Sequence, residues 1–400
     1  MALNPTALGT ARLADRPLTI LQVVPRLGIG GVERGTLEIA EAVVEAGGRA
    51  LVATEGGQLA ARVMRAGGEI VEMNAATKNP FNIWQNAGVL ERLVAAEGVD
   101  LIHARSRAPA WSAKWAAGRC GIPFVTTYHG SYSEGFPGKR LYNGVMAAGS
   151  PVIAVSEHIR SLVMERHRVG PERIVVIPRG ADTDVFSEDV VGGARTAGLA
   201  ERWGLLDDPR PVIMLPGRLT RWKGGESLID AAAELASIRG GPDFIVLFVG
   251  EDSGSGFSRV LEKRIQSKGV GGFVHLAGAV SDMAAAYKLA SVVISASIEP
   301  EAFGRVAVEA QAMGRPVIAT DHGGARETVA DGETGLLYPP GDAKALANAI
   351  QHMLEMDPSA KAHMHLAARA RVHARYTVAT MKRATLDVYE RATGRLFSEA

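Results

Sequence analysis

The sequence predicts an α/β protein of two parallel-sheet domains followed by a helical tail. Three observations carry this reading. Short β-rich runs alternate with longer amphipathic ones, and the whole alternation restarts after residue 209. From Ala343 onward the pattern is helical with few glycines. In order, Leu18–Val24 reads as a strand, then comes a glycine-rich turn and a helix from Val32 to Ala46. Arg49–Ala53, Leu101–Ala104, Phe124–Thr127, Val152–Val155 and Ile174–Ile177 are further strands, with helices at Asn82–Ala96 and Ala108–Ala117. The second set of strands is Val212–Leu215, Phe244–Val249, Val274–Leu276, Val292–Ser295 and Val317–Thr320. Gly192, Gly193, Gly204 and Pro209 between the sets suggest a linker. The expected division is an N-terminal domain 1–187, a linker 188–209, a C-terminal domain 210–375, and a helix 376–400 that returns to the first domain.

Composition narrows the function classes. The chain of 400 residues is 47% hydrophobic and 22% charged, as globular proteins are. A formal net charge of +1 argues against a polyelectrolyte binder, so no nucleic-acid partner is expected. Cys120 is the lone cysteine, which rules out an intramolecular disulfide and suits a reducing cytoplasm. No apolar run reaches the roughly 20 residues of a membrane helix. Met1–Pro17 reads as a loose leader without a signal-peptide stretch. The expected location is therefore the cytoplasm, with any membrane contact peripheral.

In doubly wound sheets, ligands bind beyond the carboxyl ends of the strands. The unusual residues fall there. Gly28-Ile29-Gly30-Gly31-Val32-Glu33 follows the first strand and opens a helix, so the backbone can approach a phosphate. A dinucleotide fingerprint is disfavoured, because Glu33 stands at its third glycine. Gly217-Arg218 and Lys223-Gly224 follow the first strand of the second set, and two cations there can stabilise a departing diphosphate. Glu301-Ala302-Phe303-Gly304 leads into a helix that carries Glu309, with seven residues between the carboxylates. Carboxylates accept hydrogen bonds from sugar and ribose diols. The backbone at Phe303 and Gly304 offers amides for phosphate.

Taken together, these motifs resemble the retaining glycosyltransferases of family 4, which have the GT-B fold: two Rossmann-like domains facing each other across a cleft. Ala154-Val155-Ser156-Glu157, Ile177-Pro178-Arg179-Gly180, Gly323-Gly324-Ala325-Arg326-Glu327 and Asp331-Gly332-Glu333-Thr334-Gly335 belong to the same resemblance. It runs from about residue 22 to residue 340, and only Arg179, where the family often has Asn, departs from it. The resemblance implies that Glu301 holds the donor sugar, Glu309 the ribose, and Arg218 and Lys223 the diphosphate. It also implies that Gly30 and Gly31 approach the phosphate, and that His129 lies near the reacting sugar. His129, Arg218, Lys223 and Glu301 are then the catalytic candidates. Nucleotide-sugar is a substrate, and neither cofactor nor metal is expected.

A further stretch, Asp100 to Trp111, is similar to lipopolysaccharide-core mannosyltransferases of Gram-negative bacteria. Between Arg105 and Arg140 stand Arg105, Arg107, Lys114, Arg119, Lys139 and Arg140, opposed by Glu134 alone. Trp111, Trp115, Tyr132 and Phe136 are interleaved. Such a stretch suits an anionic acceptor or an anionic membrane face. Arg105, Arg107, Trp111 and Tyr132 are the acceptor candidates. A helix face with snorkelling basic side chains reads the same way. Asp182-Thr183-Asp184 has a metal-binding form but lies far from the donor motifs, and His363 and His365 share no helical face. The expected activity is transfer of a hexose, first of all mannose from GDP-mannose, to a hydroxyl of a lipid-linked or lipopolysaccharide-core glycan at the inner membrane's cytoplasmic face. UDP-hexoses stay open as donors. So do a sugar synthase or phosphorylase acting on free saccharides, and an idle sugar-nucleotide binder.

Overall fold

A computed structural model describes residues 16–397 except Ile29, Phe136 and Ser253. Most of the expected leader, and the aromatic Phe136, lie outside the described residues. The described chain holds thirteen strands in two wholly parallel sheets. In the first sheet β1 is Thr19–Val23, β2 Arg49–Thr54, β3 Glu69–Glu72, β4 Leu101–Ala104, β5 Phe124–Tyr128, β6 Val152–Ala154 and β7 Ile174–Val176. Their order is β3-β2-β1-β4-β5-β6-β7. In the second, β8 is Val212–Pro216, β9 Ile245–Val249, β10 Val274–Gly278, β11 Val292–Ser295, β12 Val317–Thr320 and β13 Gly335–Tyr338, in the order β10-β9-β8-β11-β12-β13.

The central strands are continuous buried runs, such as VIMLP in β8 and IVLFV in β9. Helices cover parallel sheets on both faces, so such strands have no solvent face to alternate toward. Each sheet reverses its strand order once, between β1 and β4 and between β8 and β11. Those switch points are where ligands bind in this architecture.

The chain divides into two compact units. One runs to Ile177 and resumes at Met381; the other is Pro178–Thr380. The stretch 188–209 expected as a linker belongs to the second unit. It contains the helix Gly193–Arg202, with Gly192 as its N-cap and Gly204 in the left-handed region at φ 67°. Lys288 donates to the carbonyls of Glu188 and Val191 at 3.0 and 2.7 Å, and Arg195 pairs with Asp282 at 2.8 Å. These glycines punctuate a helix rather than loosen the chain.

The terminal helix Val378–Thr393 passes from the second unit into the first. Tyr389 is fully buried there, and His103 Nδ1 lies 2.6 Å from its hydroxyl. Lys382 pairs with Glu45 at 3.2 Å, and Arg395 with Asp100 at 2.7 Å. No helix among the described residues is long and apolar enough to cross a membrane.

Candidate active site

The second unit builds its site from glycine contacts. Gly217, at φ 126°, ends β8, and its N–H donates to Val249 O at 2.9 Å. A Cβ on Gly250 would sit 1.9 Å from Gly217 O, so the β8 and β9 ends meet backbone to backbone. Seven residues on from Gly217, Gly224 stands at φ 72°, and a Cβ there would lie 1.8 Å from Ala296 O. Ile298 N also donates to Trp222 O at 2.8 Å. These two contacts lay Lys223 against the loop that follows β11.

The β12 end closes over the same loop. Gly324 N donates to Glu301 O at 2.8 Å, and a Cβ on Gly324 would fall 2.6 Å from Phe303 Cα. Gly224→Ala is therefore expected to displace Lys223 from Glu301. The readouts are a lower melting temperature and a loss of sugar transfer; a variant that matches the parent in both contradicts this reading of the loop.

Within this frame Lys223 Nζ donates to Glu301 Oε1 at 2.6 Å. Ser297 Oγ donates to the same oxygen. Oε2 of Glu301 has no donor among the described residues. Ser297 is itself fixed, because its carbonyl accepts from Thr320 Oγ1 at 2.9 Å and from His322 Nε2 at 2.8 Å.

Burial pushes the Glu301 carboxyl up, but the charge and hydrogen bond of Lys223, the Ser297 hydroxyl and the nearby His322 outweigh it. The group is held below its ordinary 4.5. The pair's contribution to stability is present above about pH 4.5 and is lost as pH falls through the folded-state value.

Arg218 is exposed and has no carboxylate partner among the described residues. It and Lys223 leave the same loop, one open to solvent and one held by a carboxylate. Lys223 also lies 4.3 Å from the Trp222 ring centroid.

Glu309 is in the helix Arg305–Ala312, which Gly304 opens at φ 97°. It is 8% exposed, with Tyr287 OH donating to Oε2 at 3.1 Å and Arg305 to Oε1 at 2.7 Å. Phe303 is buried and meets Tyr376 edge to face at 5.6 Å, so its ring belongs to the core. Sequence reading missed Ser297, Tyr287 and His322. Tyr287 and His322 come from other segments, and Ser297, four residues before Glu301 in the same loop, carries no signal of its own.

In the first unit, Gly30 is the extended N-cap of the helix Gly31–Glu45 at the β1 end. Arg105 corrects an expectation. It is 3% exposed, with Nη1 donating to Gln22 Oε1 at 3.2 Å, so it is an interior group and not part of an accessible basic face. Burial pushes its guanidinium down, opposed by Tyr389, Glu38 and Glu33.

Arg107 does stand at the β4 end. Its Nη1 donates to Asn143 Oδ1 at 2.9 Å, and its guanidinium lies 4.3 Å from the Tyr132 ring centroid. Burial pushes the Tyr132 hydroxyl up, against a hydrogen bond with the His129 backbone and the charge of Arg107. His129, Tyr132 and Arg107 thus form one set beyond β4 and β5. Trp111 is half-buried and pairs with Trp115, ring centroids 5.9 Å apart. Asp182 accepts from Asp184 N at 3.1 Å, a local turn.

Two family descriptions divide the chain between them. Residues 29–185 match Glycosyltransferase Family 4, and residues 201–372 match Glycosyl transferases group 1. A glycosyltransferase from Rickettsia africae ESF-5 superposes with a TM-score of 0.87 at 35% identity, over 94% of this chain and 99% of that one. Anabaena HepE, solved in complex with UDP and glucose, superposes at 0.79 with 26% identity, over 93% of this chain and 99% of that one. A D-inositol 3-phosphate glycosyltransferase of Corynebacterium aurimucosum is 34% identical over 52% of this chain, a match that spans 49% of that protein's length. Two parallel-sheet Rossmann-like units, the GT-B neighbours and both family matches agree. This chain belongs to the family 4 glycosyltransferases.

Proposed function

We propose that the chain transfers a hexose from a nucleotide-sugar to a hydroxyl of a phosphate- or carboxylate-bearing glycan or polyol, with retained anomeric configuration and without a metal. One observation carries this reading: the single free oxygen of Glu301. With Lys223 and Ser297 on Oε1, Oε2 is left to accept sugar hydroxyls, and Lys223 is held where a diphosphate would leave. The β8–β11 switch point is where this fold places its ligand.

HepE was solved with UDP and glucose, which supports a uridine nucleotide and a hexose. UDP-glucose is the donor we put first, with GDP-mannose, the expectation from sequence, as the second. The name of the inositol phosphate relatives supports an acceptor that carries phosphate. A lipid-linked acceptor at a membrane face is the form in which the Arg107–Tyr132 set and Trp111 would be most used. A thermal-shift screen of UDP-, GDP- and ADP-sugars tests the donor. If no sugar nucleotide raises the melting temperature, the donor reading falls. A chelator is expected to leave transfer unchanged; a loss that Mg²⁺ or Mn²⁺ restores contradicts metal independence.

Glu309 is assigned to the ribose, with Tyr287 and Arg305 orienting its carboxylate. Glu309→Ala is expected to weaken nucleotide binding about tenfold, the worth of one charge-assisted hydrogen bond. An unchanged affinity removes Glu309 from the ribose site. Arg107→Gln is expected to raise the acceptor Michaelis constant and to leave donor affinity alone. Equal constants for variant and parent, on an anionic acceptor at low salt, would remove Arg107 from the acceptor site.

A further inference from the structure

The first unit contains a cavity of about 850 Å³ that shares Trp111 alone with the residues assigned to sugar transfer. Its cationic wall is Lys114, Arg140, Arg166, Arg168 and Arg173. They come from four separate segments: the helix Arg107–Cys120, the short helix Lys139–Asn143, the end of the helix Glu157–His167, and the turn before β7. Arg168 and Arg173 bring the cavity to the amino ends of β6 and β7, because Arg173 directly precedes Ile174 and the lining Ala148 leads toward Val152. Ligands of the sheet proper bind at the opposite, carboxyl ends. The cavity is thus separate from the donor site in sequence and in fold position.

Charge accounting makes it unusual. The whole chain has 44 basic and 43 acidic residues, and most of its arginines outside this wall find carboxylates. None of these five cations pairs with a carboxylate among the described residues. Arg140 and Arg173 instead donate to the carbonyls of Arg166 and Gly149 at 2.7 and 2.9 Å, and Arg166 donates to Tyr132 O at 2.7 Å. Those bonds aim the guanidinium groups without neutralising them. The carboxylate felt by the lining His167 is Glu134, which holds none of the five. Like charges gathered in one concavity repel, and an anion relieves that repulsion.

The backbone adds a second observation. Arg168 ends the helix Glu157–His167 at φ 53°, and it is the single non-glycine residue at positive φ among those described. Gly98, Gly121 and Gly269 take the same conformation at the ends of three other helices. An L-residue there costs roughly 1–2 kcal/mol. A side chain kept at that cost, and lining the cationic wall, points to use of the guanidinium. Trp111, Val145 and Leu141 supply the cavity's apolar part, with Leu141 76% exposed at its rim.

We propose that this cavity is a second anion site, which takes a phosphate-bearing group joined to an apolar or ring moiety, with Arg168 and Arg173 as its main contacts. The proposal does not rest on sugar transfer. Forked guanidinium groups match phosphate oxygens two at a time. The source is either a soluble phosphorylated molecule or a phospholipid headgroup, and the test separates them.

Inorganic pyrophosphate is titrated calorimetrically into the full chain, and co-sedimentation is measured with phosphatidylglycerol and with phosphatidylcholine vesicles. The variants are Arg168→Glu with Arg173→Glu, the same pair changed to Lys, and, as a control of equal charge change, Arg62→Glu with Arg65→Glu on an exposed helix. The expected result is at least a tenfold loss of binding in the cavity charge reversal, an intermediate loss with Lys, which keeps the charge but not the fork, and none in the control. Loss of pyrophosphate binding alone identifies a soluble phosphate ligand. Loss of phosphatidylglycerol binding, with pyrophosphate competing, identifies a headgroup. UDP-glucose affinity, read in parallel, is expected to be the same in all four proteins, so failure here is distinct from failure at the donor site. The proposal is overturned if neither probe binds in a cavity-dependent way, or if the control loses as much as the cavity variant.

Discussion

Glu301→Ala is expected to lower sugar transfer by about 10²–10³, with a much smaller effect on affinity for the bare nucleoside diphosphate. The magnitude is that of removing a preorganised group from a partly dry site. Two effects combine in it. Oε2 is lost as acceptor for the sugar hydroxyls, and Lys223 loses the carboxylate 2.6 Å away that fixes its position. The second effect also bears on stability, since a half-buried ammonium is left without its partner. Glu301→Gln separates the two. It keeps the shape and a carbonyl acceptor for Lys223 but puts an amide donor where Oε2 accepts, so transfer is expected to fall while the melting temperature falls less than in Glu301→Ala. Steady-state kinetics with each variant, beside nucleotide titrations, checks this. Transfer by Glu301→Ala within tenfold of the parent, about 1.4 kcal/mol, contradicts the assignment.

Arg218→Ala and Lys223→Ala are each expected to cost on the order of 10²–10³ in turnover, because both are proposed to act on one diphosphate. The double variant is expected to lose less than the product of the two, as neighbours that share a ligand do. The structure distinguishes the two changes in another way. Lys223 is bonded to Glu301, whereas Arg218 is exposed with no carboxylate partner among the described residues. Lys223→Ala removes the charge and hydrogen bond of Lys223 that help hold the Glu301 carboxyl down, so that group rises toward its ordinary value of 4.5. Its melting temperature is expected to fall, and its acid limit of activity to move to higher pH. Arg218→Ala is expected to change neither. Multiplicative losses in turnover would show that the two cations serve different sites, and the same melting temperature for both variants would contradict the part given to the Lys223–Glu301 pair.

The switch-point rule made the site legible before its geometry was known. Strand ends at β1, β4, β8 and β11 could be read because their apolar runs are buried on both faces, and the unusual glycines and charges stand just beyond them. β3 escaped because Glu69–Glu72 is an edge strand with exposed ends and gives no apolar run. β13 escaped because Gly335 opens it and only Leu336 and Leu337 carry an apolar signal. The glycines at 192, 193 and 204 read as a linker because composition does not separate a capped helix from a loose one. Arg105 read as one member of a basic stretch. Its backbone N–H bonds Val23 O, which carries it on from β4 into the interior. What the sequence could not show was how Lys223, Ser297 and Glu301 share one oxygen, since that depends on Gly224 meeting Ala296 across 72 residues.

We propose that this site breaks the bond between sugar and diphosphate rather than only holding the nucleotide-sugar. The most direct test incubates the protein with UDP-glucose, and separately with GDP-mannose, and quantifies the nucleotide products by mass spectrometry. Wild type is expected to release the nucleoside diphosphate from one of the two, by transfer to an added acceptor or slowly to water, and Glu301→Ala to release at least a hundredfold less. Donors that stay intact with wild type, although they bind and raise its melting temperature, would make the chain a sugar-nucleotide binder and contradict the account.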